Sequence, residues 1–468
     1  MAEPWEMSAT AQAAAVKAGE VSSVELVQAH LDRIESVNPA VNAVTRTMPE
    51  DSLAAAADVD AARAAGEELG PLAGVPFTIK ENIDVAGQPT THGLHALAEA
   101  VAAVDAPVVE RMKAAGAVPL ARTNLPDLGL RIHTDNELHG LTRNPWHPDH
   151  TAGGSSGGEG AALATGMSPI GLGNDLGGSL RNPATCCSIA SIKPTSGRVP
   201  AAFTIPVPDD GIVGQTFAVQ GPMARTVADV RVGLEALAGP HLRDPAAQPV
   251  PLLAPEAGVR RVALVAEPPG GNTDPGVAAV TRAAGDALDA AGCIVEEVEA
   301  PRFEEVVLCW SAIVGGDIAT SFPVIEPILG GPARELLGTL RDTIGPVSVA
   351  DMSAMWLLRH SLTRAWAAFF SEWDVMVTPT WAQLPFIHGA DTDASDVAES
   401  VLVTHARPVL PANALGLPSA AVPAGIVDGL PVGVLVNGPL WSDMLCLEVA
   451  EMIESAGIAP SVPIDPRS

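Results

Sequence analysis

The chain has 468 residues, about three times a typical ~150-residue domain, so a sizeable buried core is within reach. Acidic residues outnumber basic ones 55 to 26, a formal charge of −29, and a field of that sign repels nucleic-acid backbones and anionic membrane surfaces. Hydrophobic residues at 47% against 17% charged exclude a disordered chain, and the complete lack of tyrosine removes every phenol from the candidate acids and nucleophiles.

Residues 8–35 and 51–69 carry Ala-rich helical patterns, with Ser22 or Ser23 ahead of Glu25 as a cap, so the front of the chain is predicted helical. From Leu72 the pattern changes. GVPFTIKENIDV reads as a strand entering a loop, and APVVERMKAAGAVPLARTN as a helix, a stop at Gly116 and a second strand, which is a βαβ layout. Residues 150–184 are rich in Gly and Ser, yet a flexible linker has no reason to hold GGSSGG and GGS around the apolar run MSPIGLG. RRVALVAE reads as a strand, Asp274-Pro275 as the cap of a helix to about Ala291, and CIVEEVE after Gly292 as the next strand, a second βαβ-like unit. Residues 303–372 read as helical and carry Trp310, Trp356 and Trp366. DVMVTPT, PSAAVPAGI and PVGVLVNG read as late strands, followed by a closing helix from Ser442 to about Ser455. The uncharged stretch Pro408–Val427 is broken by four prolines, which points to buried strand and turn rather than a membrane span. With no internal repeat and no clean linker, one α/β domain over 1–468 is expected.

Five cysteines without CxxC spacing argue against a disulfide framework or a zinc knuckle, and Glu3 and Glu6 stand where a secretory signal would be basic, so a cytoplasmic location is expected. His92, His95, His133, His139, His147 and His150 cluster before the glycine-rich part, but without HExxH or a comparable ligand pattern no metal site is expected. His133 reads either as a residue of a pocket mouth or as a structural histidine.

Three elements could carry chemistry. Among only four lysines, Lys17 and Lys113 sit on helical patterns and read as solvated. Lys80 ends the apolar run VPFTIK, so a strand would carry its amine inward. Burial lowers an amine's pKa and makes it a usable base; the alternative is a buried lysine paired with Glu81 or Asp84. TAGGSSGGEGAALA contains G-x-S-x-G, but RNPWHPDHT before it is no strand, which counts against a hydrolase-type nucleophile elbow, and no Gly-Lys-Ser/Thr phosphate loop occurs. In GLGNDLGGSLRNPA, Gly177 and Gly178 before Ser179 let N–H groups converge near one hydroxyl, as an oxyanion requires. Asp175 and Arg181 flank the turn; a Gly-rich turn with a capping serine is the alternative.

Taken together, PLAGVPFTIKENIDVAGQPTTHG, ARTNLPDLG, GLTRNPW, AGGSSGGEGAALATG, GLGNDLGGSLRNPA, IKPTSGRVP and GPMARTVAD, in that order, make the chain resemble the amidase signature family, with later echoes in NALGLPSAAVPAG and GLPVGVLVNG. The resemblance implies a single large mixed sheet flanked by helices on both sides, a signature core over about 71–235 after an N-terminal helical segment at 1–70, and a variable substrate-pocket stretch over about 300–400. It implies a Ser-Ser-Lys triad with Ser179 as nucleophile, Ser155 as bridging hydroxyl and Lys80 as base. Also implied are a cis Gly154-Ser155 bond, an oxyanion hole from the N–H groups of Leu176, Gly177, Gly178 and Ser179, and support from Ser156, Asp175 and Arg181. Gly129, Arg131 and Asn174 are the implied substrate contacts. Asn174 and Leu176 stand where many members have small hydroxylated residues.

The activity so implied is hydrolysis of a linear amide, without cofactor or metal, by a monomer or homodimer acting on a small molecule. Acyl hydrazides belong to the same chemistry, and in length, triad placement and composition the chain also resembles bacterial hydrazidases. A glutaminase subunit of a tRNA-dependent amidotransferase and an esterase of the same fold are the alternatives; a non-catalytic binding protein would not need Lys80, Ser155 and Ser179 together.

Overall fold

The computed structural model describes residues 3–206, 211–392, 404–459 and 463–467, so residues 393–400 of the expected variable stretch lie outside the described residues. The helical front breaks at Gly19 into α1 (Ala9–Ala18) and α2 (Ser23–Val41), the latter opened by a reciprocal pair of hydrogen bonds between Ser22 and Glu25. α2 runs six residues past the expected end with Pro39 inside its last turn, and Asn38 Oδ1 receives the N–H groups of Ala43 and Val44 just beyond it. There follow β1 (Val44–Thr47), α3 (Pro49–Ala64), β2 (Pro76–Lys80), α4 (Pro107–Ala114) and β3 (Val118–Thr123). The glycine-rich stretch is folded, into α5 (Gly157–Ala164), β4 (Ile170–Asp175) and α6 (Arg181–Cys187). Then come β5 (Ala190–Lys193), α7 (Ile212–Phe217), β6 (Val219–Ala224), α8 (Val227–Leu237), β7 (Arg261–Leu264), α9 (Pro275–Ala290) and β8 (Ile294–Glu297). The chain continues through α10 (Phe303–Ile325), α11 (Gly331–Ile344), α12 (Val349–Phe369) and β9 (Val375–Pro379). The last elements are α13 (Leu410–Leu415), β10 (Ser419–Val427), β11 (Leu430–Asn437) and α14 (Asp443–Ser455).

The eleven strands form one mixed sheet in the order β1-β3-β2-β4-β6-β5-β10-β11-β9-β7-β8. Both expected βαβ units are present, with β2 parallel to β3 and β7 parallel to β8. Side chains alternate across a strand, and the sheet divides two cores on that rule. Phe77, Ile79, Ile170, Leu172, Val375, Val377, Val434 and Val436 join one core with residues of α4, α8 and α14. Ala121, Met223, Met376 and Leu435 join the other with α2, α5, α6 and α10. Thr78 and Lys80 alternate with Phe77 and Ile79, so they lie on the α5 and α6 face.

One expectation needs correction. Pro408–Val427 is not only strand and turn: α13 forms within it, since Pro411 falls in its first turn, where a missing N–H costs little. The described helix long and apolar enough to cross a membrane is α10 with its short extension to Ile328. It packs Phe303, Val306, Trp310, Ile313 and Phe322 into the protein.

Candidate active site

Parallel β2 and β4 lie side by side, with Ile79 opposite Leu172, so the end of β2 brings Lys80 beside Asn174 and Asp175 at the end of β4. The carboxyl ends of parallel strands are where open α/β sheets gather reactive groups. Lys80 is fully buried. Its Nζ donates to Ser155 Oγ at 2.7 Å and to Asn174 Oδ1 at 2.6 Å. The alternative pairing with Glu81 or Asp84 is not formed. Glu81 takes His139 at 2.6 Å and the hydroxyl of Thr91, and Asp84 Oδ2 accepts the N–H and hydroxyl of Thr204. Burial brings the Lys80 amine down to about 7, against the opposing pull of Asp175 and Glu159. Glu159 is a buried carboxyl that no sequence motif singles out. It accepts the hydroxyls of Thr78 and Thr123, and burial pushes it up to about 7.

The loop bearing Ser155 is packed too closely for side chains. A Cβ at Gly153 would come within 2.8 Å of Pro183, and one at Gly154 within 2.6 Å of the Ile132 main chain. The Gly154-Ser155 peptide is cis. Among the described residues Ser156 Oγ is buried without a hydrogen-bond partner, and the contact Ser156 makes is by its backbone, whose carbonyl accepts Gly160 N–H. Gly129, at φ 71°, presses on the same loop: a Cβ there would lie 3.2 Å from Ser155 Oγ. Gly129→Ala is therefore expected to cut kcat by roughly 10- to 100-fold through displacement of that hydroxyl, with the thermal unfolding midpoint little changed; steady-state kinetics beside a melting curve checks both.

The turn after β4 is organised by Asp175. Its carboxylate receives Gly178 N–H at 2.8 Å, Leu180 N–H at 3.1 Å, both forks of Arg181 at 3.0 Å and Asn413 Nδ2 at 2.9 Å. Arg181 also reaches Val409 O and Asn413 Oδ1. Of the four N–H groups expected in the oxyanion hole, that of Gly178 already has an acceptor. Gly178 N–H is engaged by the carboxylate that shapes the turn, leaving Leu176, Gly177 and Ser179 as the candidate donors. Ser179 keeps 8% exposure where Ser155 keeps 1% and Lys80 none, so of the three it is the one a substrate can reach. Among the described residues no hydrogen bond joins Ser155 Oγ to Ser179 Oγ. The two loops are tied by Asn182, whose Nδ2 donates to Gly154 O at 3.0 Å and to Gly177 O at 3.2 Å, while its Oδ1 accepts Trp381 Nε1 at 2.7 Å.

Of the expected substrate contacts, Asn174 has its amide on Lys80 and on Asn82, whose Oδ1 accepts Asn174 Nδ2 at 2.8 Å. Arg131 is held in a buried ion pair with Asp391, at 2.9 and 3.0 Å, and borders a cavity of about 70 Å³ with Asp127, Asp135 and Glu137. His133 bonds Thr151 Oγ1 and His92 the carbonyl of Ile205, and burial holds both rings well below the usual imidazole range. Trp310 donates its indole N–H to Leu176 O at 3.2 Å, and a Cβ on Gly177 would come within 2.7 Å of its ring. Trp366 is buried in the core, and Trp356 packs on Phe217.

The family model described as Amidase matches residues 25–447, so the chain belongs to the Amidase family and is an amide hydrolase of the amidase signature class. It is 40% identical to Indoleacetamide hydrolase of Bradyrhizobium diazoefficiens over 460 residues, covering 97% of this chain and 87% of that protein. To a Glutamyl-tRNA(Gln) amidotransferase subunit of Salinispora arenicola it is 33% identical, over 99% of each chain. Among solved structures, that of 6-aminohexanoate cyclic dimer hydrolase complexed with substrate superposes with a TM-score of 0.86 at 28% identity, over 99% of each chain.

Proposed function

We propose that the chain hydrolyses the C–N bond of a carboxamide or acyl hydrazide with an apolar acyl group, through an acyl-enzyme on Ser179 with Ser155 as proton bridge and Lys80 as base. The observation that carries this reading is the 2.7 Å contact between a fully buried lysine and Ser155 Oγ, in a setting that holds the amine near 7. Neutral Lys80 takes the proton of Ser155 as Ser155 takes that of Ser179. A bond forms from Ser179 Oγ to the acyl carbon, and negative charge gathers on the carbonyl oxygen facing the N–H groups of the turn. Lys80, now an ammonium, returns the proton through Ser155 to the leaving nitrogen, without which an amide C–N bond breaks poorly. Water then cleaves the ester by the same relay. The apolar acyl group is supported by the Trp310 ring against Gly177 and by the 40% identity to an indoleacetamide hydrolase.

The test is the purified chain alone, offered indole-3-acetamide, the matched hydrazide, the matched ester and L-glutamine. Expected are release of ammonia and hydrazine from the first two and a transient acyl adduct on Ser179 seen by mass spectrometry. Activity on the ester alone would favour an esterase. The similarity to an amidotransferase component over 99% of each chain supports a second reading, which glutamine hydrolysis appearing only with added partner subunits would select. The pH dependence has a definite sign. The ammonium form of Lys80 cannot accept a proton, so kcat/KM rises with pH and levels off above about 7; a profile flat from pH 5 to 8 would separate Lys80 from the chemistry.

A further inference from the structure

A neutral primary amine has two N–H donors and one lone pair, and only the lone pair can take a proton. Free rotation about Cε–Nζ would present an N–H to Ser155 as readily as the lone pair. Among the described residues, one side-chain acceptor besides Ser155 lies within hydrogen-bond distance of Lys80 Nζ: Asn174 Oδ1, at 2.6 Å. The orientation of that amide is set by Asn82, whose Oδ1 accepts Asn174 Nδ2 at 2.8 Å. An Asn174 turned the other way would aim its NH₂ at Lys80 and oppose the ammonium that forms in each cycle, whereas the oxygen accepts from both forms of the amine. Asn82 is 8% exposed, two residues beyond Lys80 on the same segment, so the chain Asn82, Asn174, Lys80 spans the ends of β2 and β4.

We propose that Asn174, fixed by Asn82, is a positioning residue that engages one N–H of Lys80, excludes the rotamer in which the lone pair would face Asn174, and so favours the rotamer in which the lone pair meets Ser155. This rests on Lys80 acting as the base. Nothing breaks or forms at Asn174. Its oxygen accepts one N–H throughout, while the proton from Ser155 adds to Nζ and later leaves it. The charged or titratable groups acting on Lys80 from the surrounding elements are Asp175 at the end of β4, Glu159 on α5 and His92 in the loop after β2. None of these makes the 2.6 Å contact.

The test is the pH profile of kcat for three variants, with urea midpoints recorded for each. Asn174→Leu keeps the branched shape and removes the acceptor. Its plateau kcat is expected to fall about 10- to 100-fold, the worth of a hydrogen bond to a charged group, and not to recover at high pH. Asn174→Asp places a carboxylate on the ammonium, and its acid limb is expected to move up by about 1 to 3 pH units, with activity returning above it. Asn82→Leu frees Asn174 to rotate and is expected to lose kcat with KM little changed. It also serves in place of Asn174→Leu if that variant does not fold. Full recovery of Asn174→Leu at high pH, or an unmoved acid limb in Asn174→Asp, overturns the proposal. Wild-type profiles in all three beside an inactive Lys80→Met would discard the positioning role and keep Lys80 as base; an active Lys80→Met would discard the underlying mechanism instead.

Discussion

Ser179→Ala is expected to lower turnover of the best amide substrate by about 10⁴- to 10⁶-fold, the range seen when a catalytic serine is removed from a relay that works as a unit. What remains would come from binding and from the N–H groups of residues 176, 177 and 179, all of which the substitution leaves in place. The fold should be unaffected, because the turn carrying Ser179 is held through main-chain N–H groups of Gly178 and Leu180 on Asp175 and not through the serine hydroxyl. Ser155→Ala is the instructive companion. It removes the hydroxyl that Lys80 touches at 2.7 Å, and it too should lose turnover while leaving Ser179 in position. Steady-state kinetics with intact-mass measurement of the acyl-enzyme decides the matter. An adduct forming at normal rate on Ser179→Ala, or turnover within tenfold of wild type, would require a different nucleophile.

Lys80, Ser155 and Ser179 are legible as candidates because a lysine ends an apolar strand and glycines crowd two serine turns, while their roles come from the family resemblance and not from these signals; Gly153 and Gly154 do abut Pro183 and Ile132 within 2.8 Å. The two βαβ units are legible from helix, glycine stop and strand in succession. What stays hidden is of two kinds. Short buried strands such as β5 and β6, and the short helices α6 and α13, have no exposed face and hence no periodicity to read. Contacts across the chain leave no local mark either. Nothing near Asn413 announces that it meets Asp175 and Arg181 from over 230 residues away, nor near Trp381 that it fixes Asn182. Asn174 is expected as a substrate contact only from its position in the family pattern, which does not tell which neighbours its amide meets.

Arg181→Leu is expected to destabilise the protein by about 3–5 kcal/mol at pH 7, because it leaves the Asp175 carboxylate buried without a counter-charge. Both side chains are fully buried, and the pair is bidentate at 3.0 Å. Burial alone would raise the Asp175 carboxyl; Arg181 more than offsets this, with Asn413 adding to it, and holds the group down to about 2. The sign of the pH dependence follows from that direction. A depressed carboxyl stabilises the native state fully above its unfolded value of about 3.9 and loses that contribution as pH falls towards about 2. In Arg181→Leu burial is opposed only by Asn413, Lys193 and the N–H groups of the turn, so Asp175 takes up its proton at a higher pH than in wild type, and once protonated it no longer lacks a counter-charge. The deficit against wild type should therefore be largest near neutrality and shrink as pH falls below about 4. Urea unfolding at pH 7 and in the acid range reads this difference directly. A loss under about 1 kcal/mol at pH 7, or one that grows on acidification, would show that the pair is not what holds the turn. Activity should fall further than stability in the molecules that remain folded, since a protonated Asp175 has one oxygen fewer to accept the N–H groups of Gly178 and Leu180, and the donors beside Ser179 lose their alignment with them.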